Sequence, residues 1–469
     1  MPQLNGGILR FCLGGMRQAL LALTGSLALS GCTQAGVYTP WREPELPQAS
    51  GIEALFNQRL ERNYTSPLTG EQRQGDDLEA AVIEAIRAAK REILVAVQEL
   101  TLPAIADALI ERHRSGVQVR VVLEHQYRQP WSVQHPAGLP PHAQKRLKRL
   151  KRLGHRDAVH LLDVAGVPVI DDTADGSSGS GLMHHKFVVI DQQQVVMGSA
   201  NFTSSGIHGD GGAAHTRGNV NHLLLINSRE LAELFHSEFA LLWGDGPGGQ
   251  ADSRFGLKKA SRSSRTVTLE QQQLRVLFSP HRKTDARSGL QLIKQELQQA
   301  RKTIDLALFV FSAQELADVL AAKKQDGVQI RLLVDPGFAY RSYSELLDML
   351  GKQLPDHRCV IETGNKPWSS PITTAGVPQL PRGDKLHHKF AVIDNRTVIT
   401  GSFNWSPSAA HRNDETLLVI DSPPLAAHFS REMDRLWDHA QLGITPRLQN
   451  KLQQAQRRCG SGVLRESRG

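Results

Sequence analysis

Two stretches of the chain carry the same reactive groups at the same spacing. The first is His184-His185-Lys186-Phe187-Val188-Val189-Ile190-Asp191, followed by Gly198-Ser199-Ala200-Asn201. The second is His387-His388-Lys389-Phe390-Ala391-Val392-Ile393-Asp394, followed by Gly401-Ser402-Phe403-Asn404. Both read H-x-K-x4-D-x6-G-S-x-N, 203 residues apart. One H-x-K triplet is noise; two copies with identical internal spacing are not. In extended chain, residues i and i+2 share a face. His184 therefore lies with Lys186 and His387 with Lys389, while His185 and His388 point the other way. Beyond the next turn, Ser199 shares a face with Asn201, and Ser402 with Asn404. Imidazole, ammonium, hydroxyl and amide converging on one point form the set a phosphodiester needs, because charge building on the non-bridging oxygens must meet fixed donors. Two imidazoles suit a double displacement. One attacks phosphorus, and the other protonates the leaving alcohol and then activates water. Asp191 and Asp394 fall on the opposite strand parity and are read as supporting or structural members of the motif.

The duplicated H-K-D pattern resembles the phospholipase D superfamily, and the likeness extends over most of the chain outside the N-terminal segment, the linker and the tail. The resemblance implies two similar domains whose motifs meet across a pseudo-twofold axis, a phosphohistidine intermediate, and no metal or other cofactor. It also implies His184 as nucleophile and His387 as acid/base. The candidate catalytic set is then His184, Lys186, Asp191, His387, Lys389, Asp394 and Glu415. The candidate substrate-binding set is Ser199, Asn201, Asn221, Ser402 and Asn404. Members of the superfamily use a further acidic or amide group to orient each histidine. Asn413-Asp414-Glu415 makes Glu415 the expected partner of His387, and the equivalent Gly218-Asn219-Val220-Asn221 makes Asn221 the expected partner of His184.

The elements that must position these groups repeat in the same order. Residues 80–86 have the apolar spacing of an amphipathic helix, and 93–97 form an apolar run of strand type. A helix follows over 104–114, stopped by Gly116, and 117–123 alternate as a strand. The second half repeats this with a helix over 290–300, a strand over 304–308, a helix over 314–324 and, after Gly327, a strand over 328–334. Each motif is followed by another strand and by a helix ending in Trp, with Phe235 and Trp243 mirrored by Phe429 and Trp437. Strands alternating with helices predict an α/β fold, mixed sheets covered by helices on both faces.

At its N-terminus, Arg10 and Arg17 precede an 11-residue apolar stretch over 19–29 and then Ser30-Gly31-Cys32. That stretch is too short to cross a bilayer and suits a secretory signal. Leu29-Ser30-Gly31-Cys32 resembles a bacterial lipobox, which implies a signal over 1–31 starting at Met1 or Met16, an acylated Cys32 and, with Thr33 next, the outer membrane. Residues 32–50 then read as a tether, 51–245 and 267–446 as two similar domains, 246–266 as a linker, and 447–469 as a disordered basic tail. Cys359 and Cys459 are too few and scattered for a disulfide framework, and Cys359 in an apolar run reads as a buried small hydrophobe. No metal-binding pattern occurs.

The formal net charge is +8, or 8 − 2 = +6 without Arg10 and Arg17. A basic chain is drawn to phosphate-rich polyanions, either a phospholipid surface or nucleic acid. Seven of the twelve residues over 145–156 are Lys or Arg, with Leu147, Leu150 and Leu153 at every third place. This reads as a basic helix near the cleft, with Tyr127 and Trp131 as a lip beside it. Three activities fit: hydrolysis of phospholipid headgroup esters, favoured by the anchor; cleavage of nucleic acid; and cardiolipin synthase-type transphosphatidylation. Both motifs lie in one chain, so a monomer is expected.

Overall fold

In the computed structural model the described residues are 44–177, 181–209 and 216–464. The expected signal, the Cys32 anchor and most of the tether lie outside them. The first half builds a seven-stranded sheet from β1 (Ile52–Phe56), β2 (Glu92–Val97), β3 (Gln118–Leu123), β4 (Val169–Asp171), β5 (Lys186–Ile190), β6 (Gln194–Gly198) and β7 (His222–Asn227), in the order β1-β7-β6-β5-β2-β3-β4. The second half builds a nine-stranded sheet from β8 (Arg265–Leu269), β9 (Gln272–Phe278), β10 (Thr303–Leu308), β11 (Gln329–Val334), β12 (Ala375–Val377), β13 (Lys389–Ile393), β14 (Thr397–Gly401), β15 (Thr416–Asp421) and β16 (Gln441–Leu442). Its order is β8-β9-β15-β14-β13-β10-β11-β12-β16. In both, the motif strand pairs antiparallel with the strand that opens the parallel unit, β5 with β2 and β13 with β10.

Seven helices lie where the sequence predicts them, α1 (Leu78–Ala88), α2 (Pro103–Arg114), α3 (Pro141–Leu153), α4 (Arg229–Trp243), α5 (Gly289–Gln299), α6 (Gln314–Gln325) and α7 (Pro423–Trp437), and α8 (Pro446–Cys459) stands where it predicts a disordered tail. Ser228 and Ser422 cap α4 and α7 by accepting backbone N–H bonds from Leu231 and Leu425, satisfying donors that a helix start leaves free.

The two sheets share one apolar core, and its aromatics are exchanged between halves. Phe187 meets Phe235 edge-on at 5.0 Å, and Phe235 meets Phe278 of the other half at 5.1 Å. The second half mirrors this with Phe390 on Phe429 at 5.0 Å and Phe429 on Phe56 of the first half at 5.1 Å. Edge-to-face pairs of this kind add to the area they bury. Each half thus completes the other's core, which fixes the two motifs relative to one another.

Two expectations need correction. Cys359 is no buried hydrophobe: it is half-buried and bonded to Cys459. Nor are residues 447–459 disordered. Thr445 caps α8, Leu448 is buried, and the disulfide holds the helix end. A basic composition looks like a tail, but one buried leucine and a cross-link tie it down.

Candidate active site

The motif histidines sit just ahead of β5 and β13, where the two halves exchange backbone hydrogen bonds. His184 N–H donates to Asp414 O (2.9 Å) and His387 N–H to Val220 O (3.0 Å). From the other side, buried Glu124 accepts the N–H of Met183 (2.7 Å), and buried Asp335 accepts that of Leu386 (2.9 Å). Each histidine is therefore clamped by the acid ending its own parallel strand and by the opposite half. The acids were readable as equivalents, since Leu123-Glu124 and Val334-Asp335 close corresponding strands.

This exchange reverses the expected partnerships. Glu415 does not orient His387; its Oε2 lies 2.7 Å from Nδ1 of His184. Asn221 does not orient His184; its Oδ1 lies 2.9 Å from Nδ1 of His387. The strands carrying Asn221 and Glu415 reach across the pseudo-twofold, as the paired backbones of Val220 with Leu386 and Met183 with Asp414 show. Ser199 and Ser402 are also not where a substrate donor belongs. Their hydroxyls donate to Asn221 Oδ1 (2.7 Å) and Glu415 Oε2 (2.6 Å), fixing the groups that fix the histidines.

The tautomers follow from these contacts. Asn221 Nδ2 donates to Gly206 O (2.7 Å), so its Oδ1 must be the atom facing His387. Both partner atoms are acceptors, so Nδ1 of each histidine carries the hydrogen and Nε2 keeps its lone pair. Among the described residues no protein group hydrogen-bonds either Nε2. Burial pushes the proton affinity of His184 down to about 4, with Lys186 adding to it and Glu415 opposing. Burial, then Lys389 and Lys186, push that of His387 well below its usual value. Both rings are neutral at pH 7, the state a nitrogen nucleophile requires.

Lys186 and Lys389 are almost fully buried and each donates to the carbonyl of its own motif histidine, at 2.7 and 2.6 Å. Neither forms a salt bridge with a carboxylate among the described residues. Burial lowers Lys186 to about 7. Burial and then Lys186 hold Lys389 well below its usual range. Two buried amines close enough for one to depress the other, each with donors to spare, are short of one thing, an anion.

Asn201 Nδ2 donates to Gln98 Oε1 (3.2 Å), and the Oδ1 atoms of Asn201 and Asn404 are both buried without a hydrogen-bond partner. Asp191 and Asp394 lie at the far ends of β5 and β13, roughly 20 Å of extended chain from the histidines. Asp191 accepts the N–H groups of Lys90, Arg91 and Glu92, and Asp394 those of Arg301, Lys302 and Thr303. Their place in the candidate catalytic set is thus corrected to that of strand-start anchors.

His185 and His388 do face away from the site. His185 lies between Thr416 Oγ1 (2.8 Å) and Glu238 (3.2 Å), and His388 between His222 Nδ1 (2.9 Å) and Glu432 (2.9 Å). Sequence reasoning missed Glu238 and Glu432, although each stands five residues before the closing Trp of its helix. It also missed Lys259 in the linker, which is buried and binds both Glu238 and, at 2.6 Å, Asp414. Metal-ligating chemistry gathers at Glu124, His125 and Asp172, whose ligand atoms lie within 4.8 Å of one another.

Residues 82–243 and 293–437, one segment in each half, match the family model described as cardiolipin synthase, PLD-like domain. The chain belongs to this phospholipase D-like family. Its relatives include a mitochondrial cardiolipin hydrolase of Chlamydomonas reinhardtii, 30% identical over 143 residues, covering 30% of this chain and 53% of that protein. A phospholipase D of Rickettsia prowazekii (strain Madrid E) is 28% identical over 137 residues, covering 29% of this chain and 57% of that protein. The chain thus spans little more than half the length of these two relatives. A crystal structure of phosphatidylserine synthase from Haemophilus influenzae Rd KW20 shares the fold across both halves, with a TM-score of 0.54, 15% identity, and coverage of 88% of this chain and 94% of that one.

Proposed function

We propose that the protein hydrolyses phospholipid headgroup phosphodiesters through a covalent phosphohistidine. The observation that carries this is the pair of buried lysines with no carboxylate in salt-bridge contact, flanked by two histidines whose Nδ1 hydrogens are anchored. A phosphodiester monoanion entering between Lys186 and Lys389 supplies the missing charge and raises the proton affinity of the surrounding bases. Nε2 of His184 attacks phosphorus. The bond to the leaving oxygen breaks, and His387, entering as imidazolium, gives that oxygen its proton. Phosphorylated at Nε2 and still protonated at Nδ1, the His184 ring is cationic, and the Glu415 carboxylate stabilises it. Neutral His387 then takes a proton from water as the water attacks phosphorus, and His184 leaves. An alcohol in place of water gives transphosphatidylation from the same intermediate.

Two features support a lipid substrate. The lipobox-like Leu29-Ser30-Gly31-Cys32 holds the site within tether reach of a bilayer, and the Cys359–Cys459 disulfide suits an oxidising envelope compartment. The curated relatives named for cardiolipin hydrolysis and phospholipase D activity point the same way. The test offers the enzyme liposomes and single- and double-stranded DNA in parallel, in EDTA, with His184→Ala as blank. Headgroup release with phosphatidic acid is expected. DNA cleavage without lipid turnover overturns the reading.

A further inference from the structure

The connection from β3 to β4 runs through a short helical segment at Trp131–Val133 and then α3. From Gln129 to Arg156 it contains no Asp or Glu. On α3, Leu147 and Leu150 are buried against the protein. Lys145, Lys148, Lys151 and Arg152 lie exposed; at about 100° per residue Lys145, Lys148 and Arg152 fall on the side away from the buried leucines and Lys151 on the flank. Arg146 turns inward, pairs with Glu99 at 2.7 Å and covers the Tyr127 ring. Glu99 follows Gln98, whose side chain accepts from motif residue Asn201 at 3.2 Å, so Arg146 ties α3 to the strand end beside the motif. Beside it, Val133 is 64% exposed, and Lys151 Nζ donates to Gln134 O at 3.4 Å.

We propose that this face, Lys145, Lys148, Lys151 and Arg152 with the Val133 tip, docks the enzyme on an anionic phospholipid bilayer. It deepens the proposed function, on which it rests for its choice of a lipid surface. The chemistry favours a bilayer over a nucleic acid strand. An interfacial element combines exposed cations, which meet anionic headgroups, with an exposed aliphatic tip that enters the acyl boundary. Single-strand binders instead present aromatic rings for base stacking. Here Trp131 is partly covered, with its indole nitrogen buried, and the Tyr127 ring is capped by Arg146.

The test uses the full chain with Cys32→Ser, so that no acyl anchor contributes. Sedimentation with phosphatidylcholine vesicles containing phosphatidylglycerol is compared with pure phosphatidylcholine, which gives the background of the N-terminal apolar stretch. The variant K145Q/K148Q/K151Q/R152Q should lose at least about tenfold in binding to the anionic vesicles, and the wild-type affinity should fall as salt rises. Cleavage of bis(p-nitrophenyl) phosphate, which needs no surface, should be unchanged, showing that the variant is folded. Val133→Asp should weaken vesicle binding several-fold with all the cations in place. Unchanged vesicle binding by the quadruple variant overturns the proposal, as does a loss confined to DNA binding. If wild type binds anionic vesicles through this face yet turns over no phospholipid, the docking face stands and the hydrolase reading fails.

Discussion

The two halves present the same histidine in different company. In the first, His184 faces the carboxylate of Glu415, and the neighbouring strand end carries the polar pair Gln98-Glu99. In the second, His387 faces the amide of Asn221, and the place of Gln98 is taken by Phe309. Its ring lies 4.7 Å from that of His387 and 4.8 Å from Lys389 Nζ. The β3–β4 connection has an acid-free basic stretch, while its counterpart between β11 and β12 intersperses acids with bases. Duplication has kept the scaffold symmetric and put the differences where they matter to charge. In the mechanism proposed above, the carboxylate faces the ring that would become a cationic phosphoimidazolium, whereas an amide leaves the other ring free to gain and lose a proton. Because each orienting group belongs to the opposite half, neither half holds a complete site.

The sharpest way to break this asymmetry is to remove the histidines one at a time. His184→Ala and His387→Ala should each cut phospholipid turnover by at least about a hundredfold. With a p-nitrophenyl leaving group that needs no acid, His387→Ala should accumulate phosphorus label on His184. Label accumulating on His387 in His184→Ala instead would exchange the two roles.

A smaller loss, roughly 10- to 100-fold, should follow Glu415→Gln, since a hydrogen bond to a charged group is worth about 1.5–3 kcal/mol. Asn221→Asp makes the halves alike, and should raise the proton affinity of His387 and move the alkaline limb of the kcat/KM–pH profile, where the imidazolium acid is lost, to higher pH. An unmoved profile would show that the amide–carboxylate difference is idle.

The lysine pair can be read by proton uptake. Lys186 sits at about 7 folded against 10.5 as its ordinary value, so binding inorganic phosphate near pH 8 should draw a proton from solution. Calorimetry in buffers of different ionisation enthalpy measures it, and Lys186→Met should reduce it. The same depression makes the unfolded chain the better proton binder between about 7 and 10.5, so Lys186 adds stability as pH rises through that window. His184, at about 4 against 6.5, makes stability fall as pH drops from 6.5 towards 4.

Two structural comparisons complete the series. Lys259→Met leaves Glu238 and Asp414 without the cation between them, and should cost about 3–5 kcal/mol in denaturant unfolding. His388→Ala, on the face away from the substrate, should lower the melting temperature while leaving kcat largely intact. A loss of kcat matching that of His387→Ala would contradict the two-sided reading of the motif.

Much of this was legible residue by residue. Strand parity separated His184 and Lys186 from His185, and apolar periodicity placed α1, α2, α5 and α6 and the strands between them, because both are local properties of a folded backbone. Parity also marked Asp191 as remote. What it could not supply was the identity of partners. Ser199 looked like a substrate donor because a hydroxyl's direction is set by its neighbours, and Cys359 looked buried because only its apolar sequence neighbours were visible.

The amino-acid sequence by itself determined the reacting groups, their duplication and the element that carries each one. Only the tertiary structure decided which group serves which. His184 and Glu415 stand 231 residues apart, and a repeat seen in sequence suggests pairing within each copy. Packing chose pairing across the copies: Phe56 and Phe278 pack on helix aromatics of the opposite half, and the chain just before β7 and β15 bridges to Leu386 and Met183 across the pseudo-twofold.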